Sequence, residues 1–378
     1  MTHRRLIHAV LACLALPLLV ACSGDGGDGD GDADSDADSD VEGDCTSPWE
    51  GDFEVTDAES FARISQFTAV NGHLKIHETA LVTLGEPGCL AGIEGNLEVT
   101  WNADLEDLDG LGSLTAIGGS LTLSNNTRLA SLEGLGALES VDIDVNVINN
   151  PGLTSLEGLE SLMTVGEQLY VCTNDALETL SGLDNLPVVG REMRICNHES
   201  LVSLAGLDSL RTVGRSLTID GNALLTDLRG LGSLESTGRE LAIDGNLLLA
   251  SLDGLESLTE VGRELFIINS DSLVNIDALS HLTRVGSEVT IRENAVLEDL
   301  DGLSSVTSIG RQLEVLDNPT LADMTGLYAV TSLGGEMAVM DNVNLPSCQA
   351  QHLADLLRAA GWTAAARIEG NDDEATCE

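Results

Sequence analysis

The chain has 378 residues, of which 63 are Asp or Glu and 17 are Lys or Arg, for a formal charge of −46. That balance excludes a nucleic-acid binder working through general charge attraction, and it argues against a polybasic grip on anionic lipid. Only nine residues are aromatic although 43% are hydrophobic, so the core must be aliphatic. At about 150 residues per domain the length predicts two or three domains, an expectation that lapses if the sequence repeats.

Residues 1–21 carry Arg4 and Arg5 and then an apolar run too short for a comfortable membrane span, the pattern of a secretory signal. The run ends in Leu19-Val20-Ala21-Cys22, which resembles the lipobox of bacterial lipoproteins. The resemblance implies cleavage before Cys22 and acylation of its thiol and new amino terminus, several acyl chains giving stable anchoring where one would not. Ordinary signal cleavage beside an incidental cysteine is the competing reading. Position 23 is Ser rather than Asp, so the inner-membrane retention signal of enteric lipoproteins is absent, which points to the outer membrane of a Gram-negative envelope. Residues 22–44 form the lipidated cysteine and a tether. Nine Asp and one Glu fall between residues 23 and 44, a composition that cannot bury a core and stays extended by self-repulsion. Its Asp-x-Asp-x-Asp runs begin like an EF-type calcium loop, but the densest stretch lacks the glycine at the sixth position and the closing Glu, so loose ion condensation is expected.

From Leu97 the pattern apolar-x-apolar-x-x-Asn recurs every 24 residues as far as Met337, and an earlier copy starts at Leu74. Together these make twelve coils. The Asn position is held by Asn102, Asn126, Asn150, Asn174, Asn222, Asn246, Asn294, Asn318 and Asn342, and by Thr79, His198 and Ser270 in the other three coils. Within one coil Val213, Leu217, Ile219, Leu225, Leu228, Leu231 and Leu234 are spaced by twos and threes, which suits a short strand followed by tight turns rather than a long amphipathic helix. Glycine follows the inward Val or Ile at Gly166, Gly190, Gly214 and their equivalents, where a positive φ is expected. One coil cannot bury such a face alone. The predicted fold is therefore a mainly β, right-handed parallel solenoid of about twelve leucine-rich coils over residues 45–345, with each inward Asn satisfying backbone groups at a bend.

The repeat L-x-SL-x-GL-x-SL-x-x-VG-x-x-L-x-I-x-x-N resembles the receptor L-domain, the leucine-rich module of insulin- and growth-factor-receptor ectodomains, from about Asp57 to Leu345. Ordinary leucine-rich repeats place a Leu two residues after the Asn, whereas here the gap is three, from Asn222 to Leu225. The opening DAESFARISQFTAVNGHLKI is similar to that family's start, with a short helix before the first coil. The resemblance implies an extracellular binding habit. Receptor L-domains have fewer coils and often come in pairs, so their ligand sites do not transfer. Residues 346–378 are expected to form a C-terminal cap whose helix buries Leu353, Leu356, Leu357 and Ala360 on the last coil and stops at Gly361.

Of eight cysteines, Cys13 leaves with the signal and Cys22 takes lipid, which leaves an even number for an oxidising compartment. Cys172 and Cys196 occupy the same place in adjacent coils, and strands roughly 4.8 Å apart fit the Cα separation of a disulfide. Cys348 and Cys377 bracket the capping helix, and Cys45 and Cys89 bracket the N-terminal turn, so these pairs are expected to bond as well. A metal site at Cys172, Cys196 and His198 has no fourth ligand in view, and no cofactor is implied.

The second and fourth residues of each strand face outward and do not repeat, so they are free to specify a partner. Tyr170, Arg194, Phe266, Ile268 and Arg292 are the candidate contacts, because exposed aromatics and arginines carry most interface energy. Asp220 and Asp244 stack on neighbouring coils at a spacing a retaining glycosidase could use. Both also lie in an Ile-Asp-Gly-Asn turn, where Asp-Gly is ordinary turn chemistry. The functional expectation is a non-catalytic surface lipoprotein that recognises a protein or glycan. The alternatives are an envelope spacer without a ligand, and a carbohydrate-active enzyme using Asp220 and Asp244.

Overall fold

A computed structural model describes residues 45–377. The expected signal, the expected lipidation at Cys22 and the acidic tether lie outside the described residues. The rest is an all-parallel solenoid whose main sheet has 14 strands and whose second sheet has 13. Successive main-sheet strands pair one coil apart without slippage, as Leu217 with Leu241 and Ile219 with Ile243. The second sheet is built of two-residue strands such as Thr164–Val165 and Val188–Val189, too short to carry a periodic signal of their own.

The inward rows explain the lack of slippage. Leu217, Ile219, Leu225, Leu228, Leu231, Leu234 and Val213 are fully buried, and the same seven places repeat through the stack. Each such side chain contributes about 1.5–3 kcal/mol when removed from water. A one-residue shift would turn the strand's apolar residues outward and forfeit that burial.

A hydrogen-bond ladder runs beside the aliphatic rows. Asn126 accepts the backbone N–H of Asn102 on Oδ1 (3.1 Å) and donates from Nδ2 to the Val99 carbonyl (2.8 Å). Asn150 repeats this with the N–H of Asn126 (3.1 Å) and the carbonyl of Leu123 (2.9 Å). The residue before the ladder position is left-handed in every coil, with φ of 56° at Asn149 and 67° at Gly221. That conformation turns the chain out of the strand.

Two ends close the stack and lengthen it beyond twelve coils. At the N-terminus, Phe53–Val55 adds a strand below Leu74–His77. Helix α1 (Ala58–Ile64) then covers the first coil with Phe61 and Ile64. Asp57 caps it by accepting the Ser60 N–H at 2.8 Å, a bond that lowers the Asp57 pKa. At the C-terminus, α2 (Ser347–Ala359) is followed by Ala366–Glu369, which pairs with Met337–Met340. Asn371 extends the ladder by accepting the Asn342 N–H at 3.1 Å. The cap helix buries Ala350, Leu353, Ala354 and Leu357. The expected face was rotated: Leu356 is 36% exposed, and Ala360 is also on the open side. Disulfides join Cys45 to Cys89, Cys172 to Cys196 and Cys348 to Cys377.

The glycines after the inward Val or Ile are needed for a different reason from the one expected. Gly166, Gly190 and Gly214 do not have positive φ; a Cβ on any of them would strike a backbone carbonyl of the preceding coil. Positive φ belongs to Gly158, Gly182, Gly206, Gly230 and Gly254 at another corner, at 107–114°. Close coil-to-coil approach, rather than turn handedness, fixes the first set.

Candidate binding face

His198 occupies a ladder position, is 1% exposed and points inward. With Nε2 protonated, it donates to the Val171 carbonyl at 3.0 Å while Nδ1 accepts the Asn174 N–H at 3.2 Å. The imidazole thus reproduces both bonds of an Asn. Cys172 and Cys196 are bonded to each other, so these three residues form no metal site. Among the described residues no group of three or more His, Cys, Asp or Glu is placed to hold a metal ion.

Burial lowers the His198 pKa from its ordinary value near 6.5, outweighing the carbonyls of Asn174 and Val171 and the charges of Asp175 and Asp220. The unfolded chain therefore binds a proton below pH 6.5 that the folded chain resists. This contribution leaves stability unchanged above pH 6.5 and erodes it as pH falls, by at most about 1.4 kcal/mol per pH unit. In His198→Asn that part of the slope should vanish, and denaturant melts from pH 8 to pH 5 would read the difference. Equal slopes in the two proteins would rule it out.

On the opposite side of the main sheet, the outward residues fall into two clusters. Tyr170 is in register with Arg194. The Tyr170 hydroxyl donates to Glu192 at 2.9 Å, and burial together with that carboxylate raises its pKa. Arg194 makes two bonds of 2.9 Å to the two oxygens of Asp220, which raise the guanidinium pKa. Phe266 and Ile268 sit on the next cluster, with Ile268 in register with Arg292. Arg292 lies 3.8 Å from Glu293. The short side chains of Thr218 and Ala242 separate the two clusters.

A groove of about 480 Å³ opens beside the first cluster, lined by Tyr170, Glu192, Arg194, Thr218, Arg239, Glu240 and Glu264. Glu240 is the group that sequence reasoning missed. Burial and then repulsion from Glu264 raise its pKa, with Arg239 opposing. The signal was present, since Glu192, Glu240, Glu264 and Glu288 all stand immediately before the first apolar residue of a strand.

Asp220 and Asp244 are in register on neighbouring strands. Asp220 is committed to Arg194, and Asp244 accepts the Asn269 side-chain amide at 3.0 Å. Elsewhere arginines pair with acids one coil away, as Arg229 with Asp253 at 2.9 Å and Arg284 with Glu260 at 2.8 Å. These exposed pairs hold rows of like charge apart and contribute little each.

Aromatic placement separates the caps from the face. Trp49, Phe53, Phe61 and Phe67 pack at the N-terminal end, where Trp49 meets Phe53 and Phe67 edge-on at 5.1 and 5.4 Å. Tyr328 lies 4.8 Å from His352 of α2, and Trp362 donates to the Gly335 carbonyl at 2.8 Å. The other three aromatics are Trp101, Tyr170 and Phe266. Tyr170 and Phe266 stand at outward main-sheet positions, and Trp101 is at the corner where such a strand ends.

No protein family's sequence profile matches the chain, and no curated protein is significantly similar to it. No helix among the described residues is long and apolar enough to cross a membrane.

Proposed function

We propose that the chain is a non-catalytic recognition module of a bacterial cell envelope, holding an extended protein or glycan against the outward face of its main sheet. The carrying observation is the aromatic distribution. In a chain so poor in aromatics, the three not used in a cap are Tyr170 and Phe266 on that face and Trp101 at the corner where one of its strands ends. Tyr and Trp supply large contact area with a polar handle, and Arg supplies directional donors, which is why such residues concentrate binding energy.

The finer reading is a lipoprotein related to receptor L-domains. Its support is the Leu19-Val20-Ala21-Cys22 ending, the acidic tether and the 24-residue repeat. Acylated Cys22 would anchor the chain to the membrane, outer leaflet or inner, with residues 23–44 as the spacer. The carbohydrate-cleaving alternative at Asp220 and Asp244 has less to draw on, because both carboxylates already hold partners.

Binding of the full chain to envelope fragments from the producing organism is the test. Replacing Phe266 and Ile268 together by Ser should weaken it at least about tenfold, since a hot-spot pair of this kind is worth more than 1.4 kcal/mol. Circular dichroism should remain that of the parent. Unchanged binding would remove this cluster from the face.

A further inference from the structure

Trp101 stands where the fold least favours it. It is 58% exposed and its φ is 61°, in the left-handed corner that six other coils fill with Gly or Asn and five with Glu78, Thr173, Glu293, Asp317 and Asp341, none of them aromatic. Glycine meets no steric penalty there and Asn a small one, whereas a bulky side chain is strained. The ring is not tucked into the core to compensate. A strained, solvent-facing tryptophan points to work done outside the fold.

The surface next to it is rich in neutral hydroxyl and amide groups on an otherwise acidic chain. The outward and corner residues of the next two strands, Leu121–Ser124 and Val145–Ile148, carry no charge. They present Thr122, Ser124, Asn146 and Ile148, with Asn125 and Asn149 at the corners. The Asn149 amide donates to Asn125 Oδ1 at 2.6 Å, which orients the pair and leaves the Asn125 amide hydrogens and the Asn149 carbonyl to address a ligand. At its border Glu98 lies 3.7 Å from Lys75, Arg128 pairs with Glu106 and lies 3.9 Å from Asp104, and the Asp144 carboxylate accepts the Gln168 N–H at 3.1 Å.

We infer that this face binds a neutral glycan, with one sugar ring stacked on Trp101 and the following residues of the saccharide running across the hydroxyl and amide rows. A pyranose offers an apolar C–H face and a rim of hydroxyls, each both donor and acceptor. An indole plane serves the first, and paired hydroxyl and amide groups serve the second. Rows repeat at the strand spacing, about 4.8 Å, close to the advance per residue of an extended hexose chain. An acidic polysaccharide would be repelled by the surrounding carboxylates. The inference rests on the outward face being a recognition surface, but it uses strands that the Tyr170 groove and the Phe266 cluster do not.

The test uses the full chain, with maltopentaose, cellopentaose and a mannopentaose as neutral probes and polygalacturonate as the acidic one. Intrinsic fluorescence reports the site, because Trp49 is only partly exposed and Trp362 is 8% exposed. A blue shift with at least one neutral probe, absent with polygalacturonate, is expected. Trp101→Gly should lose that binding, measured by calorimetry, at least about tenfold while its melting temperature rises, since glycine relieves the corner. Loss of binding with gain of stability cannot be ascribed to misfolding. The Phe266 and Ile268 double variant should keep neutral-glycan binding. No binding of any neutral probe, or binding unchanged in Trp101→Gly, would overturn the inference while leaving the groove reading in place. Loss in the double variant but not in Trp101→Gly would overturn it in favour of the other cluster.

Discussion

Asn126→Ala is expected to cost about 4 kcal/mol, more than most single truncations at a polar residue. The side chain serves two buried backbone groups that water cannot reach, the Asn102 N–H and the Val99 carbonyl. Each group left unpaired in a dry interior costs about 1–3 kcal/mol, and the substitution strands both. Because coils contact only their neighbours, the damage should be local before it is global. Native-state hydrogen exchange should quicken first in Leu97–Thr100 and Leu121–Ser124, and the guanidinium midpoint should fall. A variant as stable as the parent would mean that the ladder is decoration on an aliphatic stack. His198 already shows that the two bonds, rather than the amide itself, are what the position requires. Ser270 is the weakest rung, its hydroxyl reaching only the Ile268 carbonyl in its own coil at 3.3 Å.

The second large effect is steric. In Gly190→Ala the new Cβ would strike the carbonyl oxygen of Gly166, a backbone atom of the preceding coil that no rotamer change can move. Two coils must part to admit it, and the register above and below shares the distortion. A loss of about 3 kcal/mol or more is expected, at the upper end for overpacking. Gly232→Ala is the matched control. Nothing lies within 4 Å of its Cβ position and its φ is not left-handed. There alanine should be neutral or stabilise by up to about 1 kcal/mol through the unfolded chain. Melts of the two variants side by side read the contrast. Similar stabilities would mean that the coils are not packed at contact distance.

The architecture was legible because its cause repeats. Leu and Asn recur every 24 residues since every coil meets the same neighbour in the same way, so each position states its environment a dozen times over. The two terminal strands were missed where that repetition breaks. Phe53-Glu54-Val55 has no ladder Asn, and Ala366-Arg367-Ile368 follows Met337 by more than a coil because α2 intervenes. The corner glycines were legible as glycines, yet the reason for them was not. A close approach to the coil before and a left-handed φ leave the same letter in the sequence. Only the placement of Gly190 against Gly166 separates them.

The face is another matter. Outward positions do not repeat, so each residue must be judged alone. Tyr170 and Arg194 were recognisable as contact residues, but their ties to Glu192 and Asp220 depend on which strands lie side by side and on side-chain reach. Trp101 stood at a corner position rather than an outward strand position and so escaped notice. Its exposure as an aromatic at a left-handed corner is visible only in the folded chain.

Hydroxyl-radical footprinting of the full chain, with and without envelope fragments, tests the central claim most directly, because aromatic and sulfur side chains are the most reactive reporters. If the main-sheet face is the recognition surface, Tyr170 and Phe266 should become protected when fragments are added. Met163, 53% exposed beside the second sheet, should keep its reactivity. Protection of Met163 with Tyr170 and Phe266 unchanged, or no protection at any of the three, would contradict it.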